Sequence, residues 1–85
     1  MRNLRESPMH SVVYKSPLKP DTYVFLREEG VFDALPAPLR ETLGRLVKVM
    51  DLELTAERKL ARVDVAEVMS ALQTRGYFLQ MPPTD

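Results

Sequence analysis

Two lysines, a serine, an aspartate and two tyrosines surround a short proline-containing insert in the stretch VVYKSPLKPDTYVFL, residues 12–26. Lysine ammonium groups, a serine hydroxyl and the N–H groups of a turn can together hold a phosphate or a carboxylate. Tyrosine rings beside them can stack on a base or pack against a partner's side chain. Turns use the same residue types, so the alternative interpretation is a solvated turn with half-buried tyrosines. The candidate binding residues of this insert are Tyr14, Lys15, Ser16, Lys19, Asp21 and Tyr23.

A second candidate surface lies near the C-terminal end, in the stretch YFLQMPP, residues 77–83. Methionine adapts to many surfaces and prolines are already stiff, so an exposed Met81 followed by two prolines suits weak protein binding. The alternative interpretation is a last strand that is tied into the sheet and then ended by the prolines. The candidate binding residues here are Tyr77, Gln80 and Pro82.

Basic residues are also gathered in the stretch RKLAR, residues 58–62, with two further basic residues in the preceding segment. Such a cluster can engage RNA or an acidic partner. Acidic residues are interleaved with it, however, and basic side chains on an edge strand discourage aggregation of sheets. We therefore favour an ion-paired edge strand over a nucleic-acid contact. The residues concerned are Arg58, Lys59 and Arg62, with Arg45 and Lys48 as possible neighbours.

No catalytic or metal-binding constellation is evident in the spacing of the reactive residues. His10 is the only histidine and there is no cysteine, which excludes disulfides, thiolate sites and histidine-rich metal clusters. As a general base, His10 needs a positioned partner that only geometry can supply. We expect no cofactor and no bound metal, and we expect the protein not to be an enzyme.

The length and the charge balance of the chain indicate one small domain without net charge. Twelve basic and twelve acidic residues balance within 85 residues, whereas nucleic-acid domains usually carry a basic surplus. No apolar run approaches the roughly 20 residues of a membrane span, and the first residues lack the apolar core of a secretory signal. We expect a cytoplasmic protein whose partner is another protein or a second copy of itself, with no membrane.

Hydrophobic patterning predicts alternating strands and helices. Strands are expected at about 10–15 and 21–27, with SPLKP as the loop of a hairpin between them. The prolines and Gly44 bound a helix at about 37–43, and 45–54 follows as a strand, with RKLAR as a possible short strand after it. Asp64 and Glu67 form a capping box for a second helix that ends at Gly76, before a strand at 77–81.

The strands are apolar on both faces, which a sheet wetted on one side does not show. Val12 and Val13 point to opposite faces, and Val24 opposes Phe25 in the same way. The centre of the sheet is therefore predicted to be covered by helices on both sides.

Four segments in this order closely resemble the YcgL family of small bacterial proteins: MHSVVYKS, KPDTYVFL, LTAERKLA and GYFLQMPP. The resemblance covers residues 9–83. It implies an α+β fold, a small α/β/α sandwich around a mostly antiparallel sheet. It does not imply any particular activity. Residues 9–85 then form the single domain, and residues 1–8 are expected to be a flexible extension, read upstream of the family's usual beginning.

Two functions from different classes remain open. The first is a non-catalytic protein-interaction or adaptor module. The alternative is a small RNA- or nucleotide-binding accessory domain that uses the 14–23 hairpin, although the zero net charge disfavours it. The salt dependence of binding distinguishes the two functions, because nucleic-acid affinity falls steeply with added salt whereas the affinity of apolar docking does not.

Overall fold

The computed structural model describes residues 8–60 and 63–82. Within them lie four strands, two α-helices and a short 3-10 helix. The strands are β1 (Met9–Lys15), β2 (Tyr23–Leu26), β3 (Val47–Leu54) and β4 (Tyr77–Gln80), and the helices are α1 (Ala37–Leu43), α2 (Val65–Thr74) and the 3-10 helix Phe32–Ala34.

The strands form one open antiparallel sheet in the order β3-β1-β2-β4. In β1, Val13 lies opposite Phe25 of β2 and opposite Met50 of β3. The hairpin predicted between residues 15 and 23 is therefore confirmed, and β3 and β4 form the two edges among the described strands.

Two separate hydrophobic cores lie on the two faces of this sheet. One face is covered by α2, and its core includes Val13, Phe25 and Leu72. The other is covered by α1 and the 3-10 helix, and its core includes Val12 and Leu26. Each fully buried aliphatic side chain contributes about 1.5–3 kcal/mol. This arrangement confirms the expected α+β fold with helices on both faces, which we call the α2 face and the α1 face.

Helix α1 has the bounds that its prolines predict. Pro36 and Pro38 stand where a helix needs no backbone N–H donor, so they begin α1 without weakening it. Gly44 ends the helix at φ 80° and ψ −161°, a conformation that is essentially restricted to glycine. A Cβ atom at Gly44 would also lie 2.7 Å from Cδ1 of Leu18, in the hairpin loop. This glycine therefore both stops α1 and lets the loop pack against its end.

Helix α2 begins with one half of the predicted capping box. The Asp64 carboxylate accepts a hydrogen bond from the Ala66 N–H at 3.0 Å, which caps the helix. The Glu67 backbone N–H bonds to the Asp64 carbonyl, but the Glu67 side chain makes no return bond to Asp64. The capping role of Asp64 is confirmed and the reciprocal role of Glu67 is wrong.

Two further expectations differ from the structure. Strand β3 begins at Val47 rather than at residue 45, and residues 58–60 form no strand. The remaining part of RKLAR, residues 61 and 62, and residues 1–7 of the expected extension lie outside the described residues. The chain after β3 therefore turns beside the sheet instead of extending it at residues 58–60.

Candidate functional site

The Ser16 hydroxyl is fully engaged by the fold. Its side chain is buried, and the hydroxyl donates to the Leu43 carbonyl at the end of α1 over 2.6 Å. The same oxygen accepts the backbone N–H groups of Leu18 at 3.2 Å and Lys19 at 3.0 Å. A hydroxyl with one proton and two acceptor positions has no capacity left for a bound anion. Ser16 is therefore a connector between the hairpin and α1.

Tyr14 is also committed to the interior. Its side chain is 3% exposed, and its ring meets the Phe32 ring edge-on with centroids 5.0 Å apart. Its hydroxyl accepts the Gly30 N–H at 2.9 Å. Both the ring and the hydroxyl hold the α1 face together, so Tyr14 presents no surface on which a base could stack.

Of the remaining hairpin candidates, Lys15, Lys19 and Asp21 are exposed and Tyr23 is half-buried. Asp21 has φ 55°, a left-handed conformation that aspartate tolerates better than most residues, and so it shapes the turn. Lys19 lies at the loop, and Lys15 lies at the end of β1. The structure thus separates the predicted hairpin set into buried connectors and side chains that reach the surface.

Three predicted residues come together in one row across the sheet. Lys15 of β1 lies opposite Tyr23 of β2, and Tyr23 lies opposite Gln80 of β4. Residues that are directly opposite in a sheet share a face, which here is the α2 face. The next row, Val13, Phe25 and Phe78, belongs to the core under that face. The row of Lys15, Tyr23 and Gln80 is thus the outer margin of an apolar surface.

A hollow of about 290 Å³ opens on this surface. It lies between the edge strand β3 and residues 58–60, and we call it the β3 groove. Val13, Phe25 and Leu52 are part of its apolar lining, with Tyr23 and Gln80 at one side. Arg58 and Lys59 line it as well and supply its positive charge.

The edge of the β3 groove carries exposed apolar side chains. Val47, Val49 and Met50 are exposed by 56%, 49% and 47% of their surfaces. The pairing between β1 and β3 shifts register here, because Val13 lies opposite Met50 whereas Tyr14 lies opposite Lys48. Val49 is the extra residue of this bulge, and bulges redirect side chains. Val49 and Met50 both line the groove as a result.

The basic residues of the sequence do not form one cluster. Arg58 donates to the Glu53 carbonyl at 3.3 Å and borders the β3 groove with Lys59. Lys48 instead binds Glu29 at 3.0 Å and Asp51 at 3.1 Å. The hydrogen bond to Glu29, followed by that to Asp51, raises the pKa of Lys48. Lys48 is therefore part of an ion-paired surface and not of the groove.

Arg45 also stands apart from the groove residues. Arg45 lines a different hollow with Phe32 and Arg40, at the end of α1. Arg62 lies outside the described residues. Among the described members of the predicted basic set, Arg58 and Lys59 border the groove.

His10 lies near two carboxylates, which the sequence alone could not reveal. Its Nε2 lies 3.6 Å from Oδ1 of Asp51, and its Nδ1 lies 3.4 Å from Oε1 of Glu53. These distances exceed those of good N–H···O hydrogen bonds, and all three side chains are about half exposed. Among residues 8–60 and 63–82, no group of three or more such side chains could hold a metal ion.

The C-terminal candidates lie on different surfaces. Tyr77 packs against the core of the α1 face, with the Arg75 guanidinium 5.6 Å from its ring centroid. Gln80 belongs to the groove on the α2 face, and Pro82 is half-buried beyond β4. Met81 is exposed between them. YFLQMPP is thus not one continuous surface, and its residue 83 lies outside the described part of the chain.

The groove residues that sequence reasoning missed are Val13, Phe25, Val49, Met50, Leu52 and Leu60. One local signal pointed to them. The run VKVM, residues 47–50, breaks the alternation that β3 shows from Asp51 onward, and such a break at a strand's start is typical of a bulge. The other lining residues come from distant strands, so only the sheet order places them together.

The fold and this surface define a small α+β domain with an open four-stranded antiparallel sheet. The model of the YcgL domain matches residues 11–83, so the chain belongs to the YcgL family. A YcgL domain-containing protein of Stenotrophomonas maltophilia is 51% identical over 76 residues, covering 89% of this chain and 88% of that protein. A second, from Thioalkalivibrio sulfidiphilus, is 45% identical over 75 residues, covering 88% of this chain and 93% of that protein. The resemblance found in the sequence is confirmed.

A third relative comes from Xanthomonas euvesicatoria and is also a YcgL domain-containing protein. It is 46% identical over 76 residues, covering 89% of this chain and 88% of its own length. These names state the domain and no activity. Among the described residues, no helix has the length and apolar character needed to cross a membrane.

Proposed function

We propose that this protein is a non-catalytic interaction module that binds another protein through the β3 groove. The observation that carries the proposal is the continuity between the exposed apolar residues of β3 and the hollow beside them. Exposed apolar surface that adjoins a hollow is typical of a docking site. We propose the cytoplasm as its compartment.

The geometry of the edge strand supports protein docking. Strand β3 has eight residues and pairs with β1 on one side. Proteins usually shorten, charge or cover such an edge, and the second half of β3 follows that rule with Asp51 and Glu53. The first half carries one charge, Lys48, and leaves Val47, Val49 and Met50 exposed. A partner that covered this half would remove apolar surface from water.

The alternative of RNA or nucleotide binding retains one supporting observation. Tyr23 lies beside Lys15 on the same face, and a ring next to a cation suits a stacked base and its phosphate. The hairpin as originally predicted does not supply this site, because Tyr14 and Ser16 are buried and hydrogen-bonded. We rank this function second.

Affinity capture with matched variants tests the proposal. Val49→Glu places a charge on the exposed apolar edge of the groove. Val31→Glu makes the same change at a valine that is 45% exposed and lies outside the groove. Tagged wild type and both variants are used to capture material from bacterial lysate, with and without nuclease, and circular dichroism checks that all three are folded.

A protein that is retained by the wild type and by Val31→Glu, resists nuclease and is lost with Val49→Glu supports the proposed function. Equal recovery with both variants contradicts the assignment to the β3 groove. Recovery that disappears on nuclease treatment, and that weakens steeply with salt, favours the RNA-binding alternative instead.

A further inference from the structure

We propose that the segment bound in the β3 groove is acidic, with an apolar anchor side chain in the groove and carboxylates that meet Arg58 and Lys59. This inference rests on the proposed protein-binding function and specifies the partner's chemistry. It follows from the combination of an apolar lining with cations at the same hollow.

The lining sets what the anchor can be. Most of the side chains around the hollow are apolar, and its volume of about 290 Å³ is small for a ligand site. Val13, Phe25 and Leu52 belong to the core and form a fixed base, whereas Val49 and Met50 lie at the exposed edge. A hollow of this kind suits one or two apolar side chains of a partner and not a large folded surface.

The charges around the hollow have one sign. Arg58 and Lys59 line it, and Lys15 lies next to Tyr23 at its margin. Within residues 8–60 and 63–82, none of these three cations forms an ion pair. Cations beside an apolar hollow are electrostatically complementary to a carboxylate-bearing partner and repel a basic one.

The acidic residues of β3 are engaged on the opposite face. Asp51 and Glu53 flank His10, and Asp51 also binds Lys48. His10 and Val12 share the α1 face by the alternation of β1, so these carboxylates do not neutralise the groove. The molecule thus presents a cationic apolar surface on one face of the β3 edge and an acidic one on the other.

A second copy of this chain is a poorer occupant. In a symmetric pairing that joined the grooves of two copies, Arg58 and Lys59 of each copy would approach the same residues of the other. Like charges brought together in this way repel each other.

Nucleic acid is also a poorer occupant of the groove. Phe25 is buried, so Tyr23 is the lining aromatic residue that offers an accessible ring. A lining with one accessible ring favours a peptide anchor over a series of stacked bases.

Selection from a random-peptide display library tests the inference. The library is panned on the wild-type protein, and enriched peptides are measured by fluorescence anisotropy against Arg58→Glu/Lys59→Glu. The double variant Arg27→Glu/Arg45→Glu serves as the control, because it makes the same charge change at exposed sites outside the groove. Thermal unfolding checks that both double variants are folded.

We expect enriched peptides to carry Asp or Glu beside an apolar residue and to bind Arg58→Glu/Lys59→Glu about ten-fold more weakly than the control variant. Replacing their acidic residues with lysine restores binding to the groove variant and not to the control. Enriched peptides that are neutral or basic, and that bind regardless of this charge reversal, overturn the inference. If those peptides are lost with Val49→Glu, the proposed docking function survives.

Two further results overturn the inference. One is binding of a single-stranded oligouridylate that Arg58→Glu/Lys59→Glu abolishes, with no acidic peptide enriched. The other is a dimer in sedimentation that Val49→Glu dissociates, since the groove is then occupied by a second copy. Failure to enrich any peptide that distinguishes Val49→Glu from Val31→Glu overturns both this inference and the proposed function.

Discussion

Replacing Ser16 with alanine tests the role that the structure gives to the hairpin. The change removes the hydroxyl that donates to the buried Leu43 carbonyl at 2.6 Å, which leaves that carbonyl without this donor. A buried polar group that loses its partner costs about 1–3 kcal/mol. The N–H groups of Leu18 and Lys19 lose an acceptor but are only partly buried, so hydrogen bonds to water replace much of the lost interaction. We expect Ser16→Ala to lower the free energy of unfolding by about 2–3 kcal/mol.

Urea denaturation followed by circular dichroism measures this loss. The midpoint should fall while the slope with denaturant stays the same, because the native structure is retained. Ser70→Ala is the control, since Ser70 is exposed on α2 and the change should stay within about 0.5 kcal/mol of zero. If Ser16→Ala lowered the free energy of unfolding by less than about 0.5 kcal/mol, the reasoning would be refuted, and the hydroxyl would be available to bind a ligand.

Three other predictions concern the fold and its charges. Gly44→Ala should lower the unfolding free energy by about 1–3 kcal/mol in urea denaturation, more than Gly30→Ala, where an added Cβ meets open space. Leu72→Ala empties a site that is 1% exposed and should lower thermal and urea stability by about 2–4 kcal/mol. The pKa of Lys48 is raised, chiefly by Glu29, so its stabilisation is present below about pH 10.5 and is lost as the pH rises through the folded-state pKa. Lys48→Met should remove that alkaline part of the pH–stability profile.

Each of these expectations has a result that contradicts it. Equal losses for Gly44→Ala and Gly30→Ala would mean that the close approach of Leu18 adds nothing. A Leu72→Ala loss below about 1 kcal/mol would show that this position is not packed. An alkaline limb that is unchanged in Lys48→Met would show that the ion pairs of Lys48 do not form in solution.

The elements that sequence predicted well are those set by local chemistry. Pro36 and Pro38 mark the start of α1 and Gly44 marks its end, and Asp64 marks the start of α2. The hairpin follows from two strand-like runs around a proline-containing insert. RKLAR was assigned wrongly over residues 58–60 because its residue types suit an edge strand, whereas these residues line the β3 groove and do not pair with the open edge of β3.

The site was predicted less well because burial is decided by distant contacts. The Ser16 hydroxyl donates a hydrogen bond to a carbonyl 27 residues away, and the Tyr14 hydroxyl accepts one from the N–H of Gly30. The neighbours of His10 depend on the register between β1 and β3, which no single strand reveals. Lys15, Tyr23 and Gln80 were predicted as binding candidates and are exposed or half-buried in the structure, but their alignment in one row required the sheet order.

The most direct measurement is nuclear magnetic resonance mapping of the surface contacted by a captured partner or enriched peptide. Titration into the ¹⁵N-labelled protein should shift the amide signals of Tyr23, Val49, Met50 and Lys59, with those of Lys19 at the hairpin loop unmoved. That pattern is what a partner bound in the β3 groove predicts. Shifts that cluster around Lys19, or on the α1 face, with the groove unmoved, would contradict the assignment of function to this groove.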